Sequence, residues 1–200
     1  MSELRIQRLV GRQIAGRLAD LAQLRITVFR EFPYLYAGSA DYEASYLQTY
    51  VDSPDSVIVV VLDGERVVGA SSGIPLAHEV ADFQRPFRER GYAVERIFYC
   101  AESVLLPDYR GHGLGVRFFA EREDHARRLG RFEWVCFCAV ERPADHPRRP
   151  AGYVPLDAFW RRRGYGKHPE LQTTFSWRDL DEAAASPKPM VFWLKRLERK

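Results

Sequence analysis

Three glycines at alternate positions carry the spacing in this chain that most clearly indicates chemistry. They are Gly111, Gly113 and Gly115, within the segment PDYRGHGLGVRFF at residues 107–119, and the apolar spacing after them predicts a helix over 114–129. A glycine-rich turn that leads into a helix directs backbone N–H groups, and the positive end of the helix dipole, at an anion such as phosphate. The glycines alone leave two interpretations equally open: a phosphate site, or a tight turn that binds nothing.

Two common nucleotide-binding motifs match this segment poorly. A Walker P-loop needs Gly-Lys-Ser/Thr, whereas Gly115 is followed by Val116 and Arg117. The dinucleotide fingerprint G-x-G-x-x-G is one residue longer, and it occurs at the start of a βαβ unit rather than in the middle of a chain. A phosphate bound here would therefore belong to another kind of ligand.

A glutamate and a group of tyrosines are the next candidates. Glu102 lies in the strand-like segment ERIFYCAESVLL, where it shares one face with Val104, two residues further on. Five tyrosines fall within residues 33–50, and the last three of them are spaced four residues apart, as on one face of a helix. Such a stripe either packs in a core or lines a pocket, and the sequence leaves both open.

The elements that must position these residues follow from hydrophobic patterning. The chain is predicted to form a strand from Leu4, two helices, a hairpin turning at Asp63-Gly64, a loop with one short helix, the strand before the glycines, and the helix over 114–129. The apolar segment FEWVCFCAV then predicts a strand buried on both faces, typical of parallel pairing, before a short helix and two last strands. This order predicts an α/β fold: a single domain over 1–200 with a mixed, mostly antiparallel central sheet and helices on both faces.

Composition excludes several functional classes. A formal charge of +3 over 200 residues is too small to indicate nucleic-acid binding, and no apolar run is long enough to span a membrane. The charged N-terminal segment does not resemble a secretory signal, so the chain is expected to be cytoplasmic. Three cysteines without a histidine pair predict buried, reduced thiols and no metal site.

Two segments of the chain resemble the sequence motifs of a known family. The segment LLPDYRGHGLG resembles motif A of the GNAT superfamily of acyl-CoA-dependent N-acetyltransferases, Arg/Gln-x-x-Gly-x-Gly/Ala, through Arg110, Gly113 and Gly115. The segment AFWRRRGY resembles motif B, an aromatic pair followed after three residues by Gly-Phe, with Gly164 and Tyr165 at the last two places. The predicted order of elements is also that of the GNAT fold, so the resemblance spans nearly the whole chain.

The resemblance implies a donor, acetyl-CoA or another acyl-CoA, and no metal. In this family the sheet splays between the strand before the glycine loop and the next strand, and main-chain groups at that opening hold coenzyme A. Amides from residues 110–115 would hold the pyrophosphate, and the backbone of the preceding residues would pair with pantetheine like an added strand. The implied cofactor-binding residues are Val104, Leu105, Leu106, Arg110, Gly111, His112, Gly113, Leu114 and Gly115.

For catalysis, Glu102 is expected to act as the general base, through a water molecule. It could equally bind the ammonium of the substrate or pair with an arginine. A backbone N–H near Leu105 or Leu106 is the expected oxyanion donor. In many GNAT enzymes the second aromatic residue of motif B is the tyrosine that protonates the departing thiolate, but here that residue is Trp160, so Tyr153 or Tyr165, or solvent, would have to replace it.

The expected reaction is direct transfer of an acetyl or other short acyl group to the primary amine of a small molecule. Acceptor-binding candidates are Tyr34, Tyr36 and Tyr42, because aromatic faces and nearby carboxylates suit a cationic amine. Carboxylates of Glu31, Asp41 and Glu43 could contribute, or could simply be solvated. The departure at Trp160 keeps an alternative open, a non-catalytic acyl-CoA sensor or regulator, and modification of protein amines is a third possibility. The protein would be a monomer or a homodimer.

Overall fold

A computed structural model describes residues 4–198, and its backbone forms eight strands and five α-helices. The strands are β1 (Leu4–Val10), β2 (Val57–Asp63), β3 (Arg66–Pro75), β4 (Ile97–Tyr99), β5 (Ser103–Leu105), β6 (Trp134–Val140), β7 (Gly166–Trp177) and β8 (Ser186–Arg196). The helices are α1 (Leu18–Phe29), α2 (Ala40–Asp52), α3 (Ala81–Arg88), α4 (Leu114–Leu129) and α5 (Asp157–Arg162). The predicted order is confirmed, and α4 has the predicted limits.

Two helix ends differ from the sequence prediction. Helix α1 ends at Phe29, earlier than the Glu31 or Phe32 expected from the following Pro33. Asp41 is a residue type that often caps a helix and would start α2 at residue 42, but the helix begins two residues earlier, at Ala40, because the Ser39 hydroxyl accepts the Tyr42 N–H and caps it.

The sheet is mostly antiparallel and opens beside β5. Its order is β1-β2-β3-β4-β6-β8-β7, with β5 paired only to β3, and the β4–β6 pair is the one parallel pair in the described part of the chain. The last residues of β3 pair with β4, and its middle residues pair with β5. Strand β4 continues the sheet to the first half of β6, whereas β5 does not pair with β6, so a gap lies between β5 and the second half of β6. The predicted splay between the strand before the glycines and the next strand is confirmed.

The segment predicted as one strand over residues 95–106 is in fact two strands, separated at residues 100–102, which we call the fork. At the fork the Cys100 N–H donates to Cys136 O on β6 (2.7 Å), whereas the next amide, that of Ala101, donates to Ser72 O on β3 (3.1 Å). The buried guanidinium of Arg122 on α4 donates to Ser72 O and Glu102 O, at 3.2 and 3.1 Å. A charged side chain thus satisfies carbonyl groups where the ladder is interrupted.

Two hydrophobic layers cover the two faces of the sheet. Along β2, Ile58, Val60 and Leu62 face the layer with α1, α2 and α3, and the alternate residues Val57, Val59 and Val61 face the layer with α4 and α5. Strand β6 alternates in the same way, so the prediction of a strand buried on both faces is confirmed. The three cysteines are buried and unpaired, as predicted.

Candidate active site

The glycine segment forms an exposed turn that leads into α4, and we call residues 110–115 the glycine cradle. Gly111 and Gly113 have φ values of +83° and +77°, in the left-handed region that favours glycine. A Cβ atom built on either residue would meet no heavy atom within 4 Å, so the space in front of these amides is open. Gly113 is the N-cap of α4 and no side chain caps the helix. Its first N–H groups are therefore available to an anion, and the residues present fit a phosphate group.

The edge of β5 next to the cradle also exposes main-chain groups. The Glu102 carbonyl and the Leu106 N–H both bond to β3, at 3.0 Å each. Because backbone groups alternate along a strand, the amides of Ser103 and Leu105 face the gap opposite β6. Of the three residues expected to pair with pantetheine, Leu105 is the one whose amide faces the gap, while Val104 and Leu106 face β3.

The side chain of Arg110 hydrogen-bonds to the end of the strand that carries these amides. Its Nε donates to Leu105 O at 3.1 Å, and its Nη1 contacts Glu31 Oε2 at 2.8 Å. The guanidinium therefore joins the end of β5 to the segment after α1, and the Glu31 carboxylate pairs with it on the exposed surface.

A cavity of about 270 Å³ lies beside the fork, on the face of the sheet covered by α1, α2 and α3. We call it the aromatic cavity, since rings make up much of its wall. It brings together Glu102 and all three tyrosines predicted to bind the acceptor. The lining residues are Arg25, Phe29, Tyr34, Tyr36, Tyr42, Ser45, Tyr46, Thr49, Glu79, Val80, Phe83, Tyr99, Ala101, Glu102, Cys138, Phe175, Trp177 and Met190.

Glu102 is held on both of its carboxylate oxygens. Oε1 lies 2.5 Å from Arg25 Nη1, and Oε2 accepts the Tyr46 hydroxyl at 2.8 Å. Arg25 also pairs with the fully buried Glu43, and its guanidinium carbon lies 4.1 Å from the centre of the Tyr46 ring. Burial opposes the charge of Arg25, but Glu102, Tyr46 and Glu43 together raise the pKa of Arg25 well above its usual value. Pairing with an arginine, one of the roles left open by the sequence, is therefore observed.

Glu79 is a second carboxylate in the same wall, and the sequence interpretation missed it. It follows β3 after one short turn, and no basic side chain forms an ion pair with it within residues 4–198. Burial raises the pKa of the Glu79 carboxyl to about 7, and the nearby Glu102 adds to this rise. A carboxylic acid in such a place is half-ionised near neutral pH.

The tyrosines of the cavity wall differ in the hydrogen bonds that they form and in their exposure. The main-chain carbonyl of Tyr34 accepts from the Trp177 indole and from Arg142, both at 2.9 Å, which fixes this side of the cavity. The Tyr36 residue is 9% exposed, and its hydroxyl forms no hydrogen bond of normal geometry within residues 4–198. Burial and the neighbouring Glu43 carboxylate raise the pKa of Tyr36. Tyr42 is 40% exposed and lies with Val80 at the opening.

The two tyrosines expected to act as proton donors do not line the cavity. Tyr165 is buried on the other face of the sheet, where it packs against Phe119 and its hydroxyl donates to Glu123 at 3.2 Å. Tyr153 packs edge-on against Phe32, with ring centroids 4.7 Å apart. Trp160 packs on Trp193 in the same layer as Tyr165. Phenols do reach the cavity, but from other positions, including Tyr46 and Tyr99.

The carboxylates predicted near the tyrosines are distributed differently from the expectation. Asp41 is exposed at the start of α2, and Glu31 pairs with Arg110. Neither contributes to the cavity wall, and the buried Glu43 reaches it only through Arg25.

Arg25 and Trp177 are further residues that sequence interpretation missed. A signal for Arg25 was present, because it lies seven residues after Leu18 and four after Leu21, on the apolar side of its helix. A charge on such a face needs a buried partner. Trp177 carries no such signal, since an aromatic residue in an apolar strand is ordinarily part of a core.

A family model matches most of this chain. The model described as "Acetyltransferase (GNAT) family" matches residues 21–151, which include the fork, the glycine cradle and most of the cavity wall. The chain belongs to the GNAT acetyltransferase family. It is therefore an acyltransferase, as predicted, and this family uses acetyl-CoA as its donor.

Solved structures share the GNAT fold at low sequence identity. Ribosomal-protein-alanine N-acetyltransferase from Brucella melitensis is 15% identical with a TM-score of 0.62, over 96% of this chain and 99% of that one. NAA60 from Arabidopsis thaliana, in complex with a bisubstrate analogue, is 12% identical with a TM-score of 0.63, over 99% and 100%. The structure of yncA from Salmonella typhimurium with its cofactor acetyl-CoA is 12% identical with a TM-score of 0.56, over 98% and 95%. A search of curated proteins finds no match.

Two kinds of feature are absent from the described residues. Within residues 4–198 no group of three or more histidine, cysteine, aspartate or glutamate side chains is arranged to hold a metal ion. No helix in this described part is long and apolar enough to cross a membrane.

Proposed function

We propose that this acyltransferase transfers an acetyl or other short acyl group from acyl-CoA to the primary amine of a small molecule with an aromatic or apolar body. The aromatic cavity carries this proposal. Its wall combines tyrosine, tryptophan and phenylalanine rings with two carboxylates, Glu79 and Glu102, and one guanidinium, that of Arg25. Rings favour an apolar body, and an excess of carboxylates favours an ammonium group.

In this proposal the donor is held by main chain. The amides of the glycine cradle would bind the coenzyme A pyrophosphate, because the left-handed glycines leave open space in front of them. The outward amide of Leu105 would pair with pantetheine or donate to the thioester oxygen, since it faces the gap between β5 and β6. The whole chain, residues 1–200, would act as one acyltransferase domain.

The acceptor would enter beside Tyr42 and Val80 and place its amine near the fork. Tyr34 and Tyr36 would contact its body, and the Tyr36 hydroxyl would gain a polar group of the acceptor as a partner. Glu102 would face the ammonium as a fixed negative charge, because its oxygens are already oriented by Arg25 and Tyr46.

The test is release of free thiol from acetyl-CoA in the presence of acceptors matched in their amine and different in their body. Phenethylamine, butylamine, methylamine and a short peptide with an N-terminal alanine form such a series. Burying a ring stabilises a complex by about 1.5–3 kcal/mol, so phenethylamine should exceed methylamine by about 10-fold to 100-fold in kcat/KM. A peptide that outperforms every free amine would contradict the small-molecule acceptor, and acetyl-CoA binding without acceptor-dependent thiol release would favour the sensor.

A further inference from the structure

The two carboxylates of the aromatic cavity lie in opposite electrostatic surroundings. Glu102 forms an ion pair with Arg25 at 2.5 Å and accepts a hydrogen bond from the Tyr46 hydroxyl at 2.8 Å. Within residues 4–198 the Glu79 carboxylate forms no ion pair, and no other side chain donates a hydrogen bond to it. A carboxylate that is buried without an ion pair binds a proton more readily than one in water, and burial is the largest cause of the raised pKa of Glu79.

The other titratable groups of the wall are unsuited to accept a proton near neutral pH. Arg25 stays charged, and its pKa is raised well above its usual value by its acidic neighbours against the effect of burial. Burial raises the pKa of the Cys138 thiol to about 12. Burial likewise raises the pKa of every phenol in the wall, so that each stays protonated: Tyr34, Tyr36, Tyr42, Tyr46 and Tyr99. The cavity wall contains no histidine.

The backbone holds Glu79 in place at the cavity. Its N–H donates to Leu76 O at 3.1 Å, and its carbonyl accepts from the Gln84 side chain at 2.6 Å. The preceding His78 is tied to Ser53 at 2.7 Å. A carboxylate on a segment anchored at three points can act at a defined position without large rearrangement.

We propose that Glu79 is the general base of this acyltransferase and that Glu102 positions the ammonium. The proposal rests on the proposed amine acceptor. The ionised Glu79 carboxylate takes one proton from the acceptor ammonium and becomes a carboxylic acid. The neutral amine nitrogen attacks the thioester carbon, the C–N bond forms and the C–S bond breaks, and the second N–H proton goes to the departing thiolate. Glu79 then returns its proton to solvent, so the net products are the amide, free coenzyme A and one proton.

The charges and phenols around Glu79 come from every element packed against it. Glu102 raises its proton affinity and Arg25 lowers it, and the Val80 N–H hydrogen-bonds the carboxylate and also lowers it. The phenols that sense its charge are Tyr42, Tyr46, Tyr50 and Tyr99. Because those phenols stay neutral, the proposal assigns the acidic limb of the pH–rate profile to Glu79.

The experiment compares Glu79→Gln with Glu102→Gln in the full chain, with Glu89→Gln as the matched control on the exposed end of α3. Thiol release is measured from pH 5 to 9 with the best acceptor of the series above, and acetyl-CoA binding by calorimetry reports on folding. Glu79→Gln should lose about 100-fold or more in kcat/KM and should lose the acidic limb near pH 7. Glu102→Gln should keep that limb with a raised acceptor KM, and Glu89→Gln should match the unchanged protein.

A second variant, Glu79→Asp, retains the carboxylate and should retain the limb at a reduced rate. An acidic limb that persists in Glu79→Gln, with kcat/KM within about 3-fold of the unchanged protein, would overturn the proposal. If the unchanged protein acetylates the alanine peptide and no free amine, the proposed small-molecule acceptor is wrong. The role of Glu79 is then tested with the peptide as acceptor, and the same effects of the variants are expected. Absence of thiol release with every acceptor would overturn both.

Discussion

The glycine cradle and the aromatic cavity are built on opposite principles. The cradle is one run of residues, 110–115, whose conformation depends on Gly111 and Gly113 and whose binding groups are main-chain amides. The cavity is assembled from side chains on several separate elements, and Arg25 on α1 pairs with Glu43 on α2 and with Glu102 at the fork. A site made of main chain is encoded locally, whereas a site made of distant side chains is encoded only by the packing of the whole fold.

This difference predicts that the two sites fail in different ways. Loss of a paired charge from the cavity should appear first as lost stability, because its partner carboxylates would be left buried without a cation. Damage to the cradle should appear as lost donor affinity in a protein that stays folded. The measurements below test this contrast, beginning with the largest expected effect.

Arg25→Met should lower the free energy of unfolding by about 3–5 kcal/mol, because it leaves Glu43 and Glu102 buried without their cation. Urea denaturation at pH 7 measures it. Arg5→Met is the matched control, since Arg5 is 60% exposed and its partner Glu65 is 84% exposed, and it should change stability by less than about 1 kcal/mol. Equal effects of the two substitutions would show that the cavity charges do not depend on Arg25.

Gly113→Val should weaken acetyl-CoA binding by about 100-fold or more, close to 3 kcal/mol, since a branched side chain would fill the space in front of the amides and oppose the left-handed backbone. Isothermal calorimetry measures the affinity. Gly130→Val is the matched control, because Gly130 has a φ of +74° at the opposite end of the same helix. It should carry similar strain and leave the affinity unchanged, so equal losses in both variants would argue against the cradle.

Glu79→Gln should stabilise the protein above pH 7 while it removes activity. Burial raises the pKa of Glu79 to about 7 from a usual value of 4.5. The folded state therefore binds the proton more tightly, and the associated stability is complete below about pH 4.5 and lost as pH rises through about 7. The variant should gain about 1–3 kcal/mol over the unchanged protein at pH 8 and little at pH 5. Thermal or urea unfolding at both pH values checks this, and a gap that does not widen with pH would contradict it.

Tyr36→Phe should have the smallest effect, within about 0.5 kcal/mol in the free energy of unfolding, because the hydroxyl it removes forms no hydrogen bond of normal geometry within residues 4–198. Tyr46→Phe is the comparison, since it removes a hydrogen bond to a carboxylate and should cost about 1.5–3 kcal/mol. Urea denaturation of both variants measures the difference. A large loss in Tyr36→Phe would mean that its hydroxyl already has a strong role in the free protein.

Residue patterns predicted the scaffold well, with limits that have physical causes. Helix α4 was predicted to its ends, because Gly113 and Gly130 are local signals at both of them. The strand over residues 95–106 was predicted as continuous, since periodicity does not report that Cys100 bonds to β6 while Ala101 bonds to β3. Tyr34, Tyr36 and Tyr42 are predicted to bind the acceptor; all three line the aromatic cavity, and their acceptor-binding role stays a prediction.

Residue types and their spacing over short distances are enough to predict the family, the order of the elements and the glycine cradle. The surroundings of the carboxylates depend on how distant elements pack. Glu79 and Glu102 have the same side chain, but Glu79 forms no ion pair within residues 4–198, whereas Glu102 lies between Arg25 and Tyr46. Proton affinity depends on burial and on charges brought close by folding, and neither is a property of local sequence.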